Sequence, residues 1–260
     1  MIKLRYVLIC LCLFAGKNLL AQDQVVHNWA SGADQNDWSW GFTFQYVRTD
    51  FKIAKKPDWR SPYYDPTTGQ KLTDSLNSIS SKPSSGFAIG FITRYRLTDH
   101  VEARLTPMLL FADRLLRYEY NSPSANPLLT TRDRTVEPTI LEQQVQSTVV
   151  EFPLSMKLKS DRLGNFRAYL LGGLKYSMLI SSKKNADNIS PIDKVVRNVG
   201  GYASYEAGIG CDIYFEFFKL SPEIKISNSF KNMLVADNTP YSRPIDKLFL
   251  HTLMISLYFE

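Results

Sequence analysis

Apolar and polar residues alternate along most of the chain, and this alternation predicts β-strands. A period of two places successive side chains on opposite faces of a strand. The first example sets apolar residues against small or polar ones: Trp38, Trp40, Phe42, Phe44 and Tyr46 against Ser39, Gly41, Thr43 and Gln45. Eight stretches show the pattern, at residues 38–46, 87–97, 101–111, 150–158, 166–176, 204–215, 220–227 and 249–259.

The connections between these strands alternate strictly between long and short. Four are long and polar, at residues 55–84, 121–142, 180–198 and 231–245, and the other three are tight turns. Short periplasmic turns and long extracellular loops are typical of outer-membrane barrels, which have an even number of strands in bacteria. The sequence therefore predicts an all-β, eight-stranded antiparallel transmembrane β-barrel. A soluble periplasmic sandwich or lipocalin-like barrel remains the alternative, because it would show the same alternation.

The end of the last strand also favours an outer-membrane barrel. Its apolar face finishes at Phe259, which resembles the C-terminal recognition signal of such barrels, although Glu260 follows the aromatic residue. Three prolines oppose the assignment, because a proline inside a strand cannot donate to the hydrogen-bond ladder. We expect β-bulges at Pro107, Pro153 and Pro222.

The N-terminus predicts export. Lys3 and Arg5 precede an apolar run that is too short to span a bilayer, and polar sequence follows it at once. We predict a signal peptide over residues 1–21, cleaved after Ala21, then a periplasmic lead over residues 22–36 and a barrel over residues 37–260. A buried N-terminal helix is the alternative. Cleavage would leave Cys211 as the one cysteine of the mature chain, so no intramolecular disulfide is expected.

Composition excludes some classes of function. The formal net charge of +6 includes three basic residues of the predicted signal peptide, so the mature chain is only mildly basic. Nucleic-acid binding is therefore not indicated. After the signal peptide, no stretch approaches eighteen consecutive apolar residues, which argues against a transmembrane helix.

Candidate chemistry is sparse. Small outer-membrane barrels can be lipid-modifying or proteolytic enzymes, but none of the three histidines lies in a predicted long loop, where a general base would be expected. His27 is in the lead and His100 is in a short turn, while His251 shares the parity of the lipid-facing residues. One mature cysteine and scattered histidines form no metal-ligand cluster. We expect no catalytic residues, no metal, no cofactor and no small-molecule substrate.

Charged residues share the parity that points into the barrel. They form a candidate lumen network: Arg94, Arg96, Glu102, Arg104, Glu151, Lys157, Arg167, Lys175, Glu206, Asp212, Glu223 and Lys225. The network could line an ion or substrate path. The structural interpretation is favoured, because the side chains of an eight-stranded barrel just fill its interior, and buried charges of opposite sign pair with one another.

Aromatic residues outside the lumen suggest two surfaces. Trp38, Trp40 and Tyr46 are expected on the lipid face or at its interfaces. The first long loop carries Trp59, Tyr63 and Tyr64, together with the four prolines Pro57, Pro62, Pro66 and Pro83. That loop could bind a partner, or it could be disordered external sequence.

Three segments carry a family resemblance. The stretch from Val150 to Ser160 (VEFPLSMKLKS), the run from Tyr169 to Ser177 (YLLGGLKYS) and Leu220 to Ile224 (LSPEI) resemble the outer-membrane β-barrel family of Bacteroidetes that includes PorT. The resemblance implies a non-enzymatic component of the type IX secretion system, in some species linked to gliding motility, with outer-membrane lipid and other secretion components as partners. It provides no catalytic residues. For a generic member of the broad family, the prediction of an exported barrel holds and the prediction of secretion does not; a passive channel, an enzyme and a soluble binder are the other candidates.

Overall fold

The structure is a computed structural model that describes residues 36–66, 68–121, 139–180, 199–235 and 238–260. The predicted signal peptide (1–21) and all but the last residue of the predicted lead (22–36) lie outside the described residues. Ten strands form a single antiparallel sheet. They are β1 (Trp38–Lys55), β2 (Leu76–Lys82), β3 (Ser84–Arg96), β4 (Val101–Leu105), β5 (Met108–Tyr120), β6 (Thr139–Lys159), β7 (Phe166–Leu179), β8 (Gly201–Tyr214), β9 (Lys219–Ser229) and β10 (Ile245–Phe259).

The sheet closes on itself as an eight-stranded barrel. β2 with β3, and β4 with β5, run end to end as parts of single barrel strands, because β5 pairs with both members of the first set and β6 with both members of the second. β1 pairs with β10 on one side and with β3 on the other, which joins the first strand to the last. The predicted strand number is therefore confirmed.

The predicted alternation separates the two faces of the wall. On β10, Thr252, Met254, Ser256 and Tyr258 point inward and are at most 3% exposed. The large apolar residues between them point outward, and the same holds around the barrel, so the outer surface forms an apolar band. Its members include Phe42, Phe44, Phe87, Ile89, Phe91, Leu154, Leu170, Leu174, Ile209, Ile224 and Ile255. Such an outward apolar face requires a hydrocarbon solvent.

Aromatic residues mark the end of the barrel that carries the short turns. The tilted rings of Trp38 and Tyr95 lie with their centroids 4.9 Å apart, and Phe42 stacks on Phe259 at 4.8 Å. Trp40, also outward, is 70% exposed. Side chains of this kind are typical of a membrane–water interface. No helix in the described part of the chain is long and apolar enough to cross a membrane.

The bulge expected at Pro107 is absent. From Thr93 to Gly90 on β3 the pairing advances by three residues, and the partner strand also advances by three, from Leu105 to Met108. A bulge would place one extra residue on one strand. Pro107 instead removes one donor and interrupts the strand between β4 and β5 without changing its register.

The other two expected bulges are absent as well. β6 pairs with β7 in unbroken register through Pro153, and β10 pairs with β9 in unbroken register through Pro222. Pro153 lies opposite Thr106, next to Pro107, and the carbonyl of each proline still accepts a ladder bond, from Thr106 N and from Phe91 N. Pro107 and Pro153 therefore remove their two backbone donors at the same level of the wall, where the intact ladders of the neighbouring strands hold the register.

A bulge does occur at a proline of the predicted first loop. Gly86 is four positions after Lys82 in the chain, whereas their partners on β5, Ala112 and Leu115, are three positions apart. The extra residue lies between Lys82 and Gly86, next to Pro83, at the junction of β2 and β3. The prediction of a loop over residues 55–84 was therefore too long, because β2 extends the barrel wall within it.

Candidate functional site: a charged lumen under an apolar cap

The structure brings together ten of the twelve predicted lumen charges. Each of them is at most 3% exposed: Arg94, Glu102, Arg104, Glu151, Lys157, Lys175, Glu206, Asp212, Glu223 and Lys225. The other two lie at the periplasmic rim, where strand ends meet water. Arg96 pairs with Asp37 at 3.2 Å, and Arg167 donates to the carbonyl oxygens of Ser160 and Asp99.

The layer nearest the periplasm is centred on Glu102. Its carboxylate lies 3.2 Å from Arg94, 3.3 Å from Lys157 and 2.8 Å from Lys159. Lys157 also lies 2.8 Å from Asp212 and so links the two carboxylates. Buried charges are tolerated when they are paired in this way, because each ion replaces the water that its neighbour has lost.

The middle layer joins strands on opposite sides of the barrel. Arg104 on β4 contacts Glu223 on β9 at 2.6 Å, and the Tyr169 hydroxyl donates to the same carboxylate at 2.7 Å. The Arg104 guanidinium also lies 4.1 Å from the centre of the Tyr258 ring, and Lys225 donates to the Tyr258 hydroxyl at 2.6 Å. All of these side chains are buried, so they fill the cross-section of the barrel at this level.

A third layer lies above these two. Lys175 pairs with Glu151 at 3.0 Å, and the Ser177 hydroxyl donates to the same carboxylate at 3.1 Å. Further out, Arg114 donates to the Tyr202 hydroxyl at 3.1 Å. The carboxylate of Glu206 is also buried here, with no hydrogen-bond donor among the described residues.

Sequence reasoning missed four buried charges of this network. Lys219 and Arg94 both contact Glu260, at 2.6 and 3.1 Å, so the residue that departs from the C-terminal signal closes the periplasmic end of the lumen. Lys159 contacts Glu102, and Arg114 lies on β5 beyond the predicted end of its strand. Lys159 has the parity of Lys157, and extending each strand at constant parity would have found both Lys159 and Arg114.

The extracellular end is closed by an apolar cap. β1, β2, β5, β6 and β10 extend beyond the apolar band, and the described parts of the two connections (56–66 with 68–75, and 230–235 with 238–244) fold over the opening between them. Their buried side chains form one cluster: Phe51, Leu76, Ile79, Leu116, Tyr118, Tyr120, Tyr202, Met233, Leu234, Tyr241, Ile245, Leu248 and Leu250. Burial of this much apolar surface stabilises the closed arrangement.

Hydrogen bonds hold the two connections in the cap. The Tyr118 hydroxyl donates to the carbonyl oxygen of Tyr241 at 2.9 Å, and the Tyr63 hydroxyl donates to that of Asn238 at 2.8 Å. Burial, with a smaller contribution from Asp65, raises the pKa of Tyr63, so its hydroxyl keeps the proton that it donates. Tyr63 is 3% exposed and Trp59 packs against the cluster. The alternative of a disordered first loop is therefore wrong for these residues.

The two histidines and the one cysteine of the described residues lie outside the lumen. His100, in the β3–β4 turn, contacts Asp161 of the β6–β7 turn at 3.0 Å, and His251 contacts Asn228 on the outer surface at 2.7 Å. His27 lies outside the described residues. Cys211 is free and half-buried on the outward face. Within the ranges that the structure describes, no cluster of three His, Cys, Asp or Glu residues could hold a metal ion.

The chain is similar to known outer-membrane proteins. A family model described as an outer membrane protein β-barrel domain matches residues 21–235. No curated protein matches the chain significantly. Among solved structures, OprG of Pseudomonas aeruginosa is 11% identical, with 85% of this chain and 93% of that chain covered and a TM-score of 0.43. Neisserial surface protein A is 10% identical (86% and 98% covered, TM-score 0.37), and the outer membrane protease OmpT of Escherichia coli is 12% identical (86% and 95%, 0.42).

Proposed function

Since the chain belongs to the outer membrane protein β-barrel domain family, we propose that it is a non-enzymatic and non-conducting barrel of the outer membrane that acts through its surfaces. The observation that carries the proposal is the filled lumen. Ion pairs such as Arg104 with Glu223 occupy its middle, and the apolar cap covers its outer end. A solute would have to separate buried charges from their partners in order to pass, at a cost of several kcal/mol.

Conductance in a planar bilayer tests the closed lumen. The purified protein, reconstituted at many copies per membrane, should add no stepwise current to the baseline of the lipid. Arg104→Ser with Glu223→Ser removes both members of the central pair and should still add no current, because the layers around Glu102 and Glu151 and the apolar cap remain. Sustained channels in the unaltered protein would overturn the proposal.

The finer proposal is that this barrel supports the type IX secretion system. Its support is the sequence resemblance given above, in the segments around Phe152 and Gly173. A closed eight-stranded barrel cannot itself be the conduit for a folded protein. It would therefore assist export by contacts that its lipid face, its lead or its external end makes with other secretion components.

A deletion strain tests this role. Loss of the protein should strand type IX cargo in the periplasm and leave the uptake of small solutes unchanged. Complementation with the unaltered chain should restore export, and complementation with Arg104→Ser/Glu223→Ser, whose outer surface is the same, should restore it as well. A strain that secretes normally but shows altered antibiotic or sugar permeability would refute the secretion role and favour a channel.

A further inference from the structure

A cluster of cations surrounds a tryptophan at the outer end of the molecule. Lys55 lies 4.2 Å from the centre of the Trp59 ring, and the Arg60 guanidinium lies 4.9 Å from it. Both distances are within the range of a cation–π interaction, which fixes the direction of otherwise flexible side chains. Arg243, from the connection before β10, lies 5.8 Å from the Tyr63 ring beside them.

Trp59 and Arg243 line a cleft between the two connections of the cap, and Lys55 and Arg60 flank it through their contacts with the Trp59 ring. The cleft is open to solvent and encloses only about the space of one water molecule. Its lining is Asp58, Trp59, Ser61, Tyr63, Thr73, Leu76, Pro240, Arg243 and Pro244. A saccharide would therefore lie across the mouth of the cleft, beside Trp59, and a longer chain would continue over the surface.

The cations are available to a ligand. Arg243 is 3.8 Å from Asp58, which is longer than a hydrogen bond, and its side chain is 40% exposed. Among the described residues, no carboxylate lies within ion-pair distance of Lys55 or Arg60. In the lining itself Asp58 and Arg243 balance each other, so the positive charge around the cleft comes from Lys55 and Arg60 beside it.

The backbone around the cleft is held before any ligand binds. Lys56 N–H donates to the carbonyl oxygen of Pro244 at 3.1 Å, which joins the two connections, and Trp59 N–H donates to that of Lys56 at 3.2 Å. Trp59 and Tyr63 also pack on the cap. A preorganised site loses less conformational entropy on binding than a flexible loop does.

The height of the cleft identifies the kind of anion. Lys55 lies nine residues beyond Tyr46, the last aromatic residue of the apolar band on β1. At about 3.4 Å per residue and a strand tilt of roughly 40°, the cations stand about 20 Å outside the band. They are therefore above the lipid headgroups, at the level of the sugar chains that glycolipids carry outside an outer membrane.

We propose that the surface formed by Lys55, Trp59, Arg60 and Arg243 at the mouth of this cleft binds an anionic saccharide, with phosphate or carboxylate groups on the cations. Guanidinium groups suit these anions because they can donate two parallel hydrogen bonds. The saccharide could belong to a glycolipid of the same membrane or to a free polysaccharide. Both present the same chemistry to the cleft.

Tryptophan fluorescence provides a local test. The chain has four tryptophans, so Trp29→Phe, Trp38→Phe and Trp40→Phe leave Trp59 as the one reporter. The barrel in phosphatidylcholine vesicles is titrated with the phosphorylated core oligosaccharide released from lipopolysaccharide, and with uncharged dextran. The oligosaccharide should shift the emission of Trp59 at saturation, and dextran should not. A second arm places intact lipopolysaccharide in the vesicle; an emission shift there without added oligosaccharide identifies the membrane glycolipid as the source.

Matched variants separate the cleft from net charge. Arg60→Ala with Arg243→Ala should weaken oligosaccharide binding about tenfold or more, as expected for the loss of two charged contacts. Lys82→Ala with Lys231→Ala removes two cations from the same end of the barrel, outside the cleft, and should change binding by less than about twofold. Heat-modifiable gel mobility verifies that each variant is folded.

Three results would overturn the proposal. The first is no shift of the Trp59 emission, either with the oligosaccharide or with lipopolysaccharide in the vesicle, even if acidic peptides cause one. The second is equal weakening by both pairs of substitutions, which would show a general effect of charge. The third is unchanged binding in Arg60→Ala/Arg243→Ala. None of these results depends on whether the barrel supports secretion, so this site and the proposed function can fail separately.

Discussion

Glu102 shows how a single buried carboxylate stabilises the lumen, because three cations share it. Glu102→Gln should lower the free energy of unfolding by about 3 to 5 kcal/mol, since Arg94, Lys157 and Lys159 would remain buried with less compensating charge. The measurement is urea unfolding in detergent micelles. Glu142→Gln is the control: this side chain is 42% exposed and 4.0 Å from Lys82, so its loss should cost less than about 1 kcal/mol. Equal costs would contradict the role of the network.

A second residue tests which face meets lipid. Ile209 is outward and 58% exposed on β8, and Ile209→Arg should cost about 2 to 4 kcal/mol near the middle of the membrane. Ile140 is also outward and 45% exposed, but it lies on the extension of β6 outside the apolar band. Ile140→Arg should therefore cost little in the same unfolding experiment in lipid vesicles. A similar cost at both positions would show that the apolar band has been assigned to the wrong part of the barrel.

At the scale of the strand, two adjacent glycines have different roles. A Cβ at Gly173 would lie 2.5 Å from the carbonyl oxygen of Leu154 and 2.8 Å from the Cα of Ser155, both backbone atoms of the paired strand β6. A Cβ at Gly172 would meet nothing closer than 4.0 Å. β6 and β7 thus approach each other more closely at Gly173, on the inner face, than at Gly172, on the outer face.

Alanine substitutions test this close approach. Gly173→Ala should destabilise the barrel by about 1 to 3 kcal/mol, because the two strands would have to separate. Gly172→Ala should change the free energy of unfolding by less than about 0.5 kcal/mol. The midpoint of unfolding in urea measures both variants. If the two midpoints agree, the packing of β6 on β7 is looser than the structure indicates.

At the scale of the molecule, closure of the sheet determines stability. β1 pairs with both β10 and β3, so the wall within the apolar band has no free edge at which detergent could begin to separate the strands. The folded protein should therefore resist SDS at room temperature and migrate differently on a gel until it is boiled. Identical mobility before and after boiling would count against a closed barrel.

The sequence alone was sufficient for the strands, their number and their two faces. A period of two is a local property of an extended chain, so it assigned inward parity to residues such as Glu102 and Glu223 without any knowledge of their neighbours. The assignment of charged residues to the lumen by parity was wrong or incomplete only at strand ends. Arg96 and Arg167 lie at the rim, and Lys219 and Glu260 were missed, because local pattern does not determine where a strand leaves the barrel.

Only the tertiary structure decided which groups meet. Arg104 pairs with Glu223, 119 positions later in the chain, and that contact depends on the register of every strand between them, which closure of the ring sets. The same closure keeps Pro107 and Pro153 in register without bulges, since the ladders on either side hold them. It also brings Trp59 beside Arg243. Parity is inherited from neighbours in sequence, whereas these contacts are made across the barrel by residues that the sequence keeps far apart.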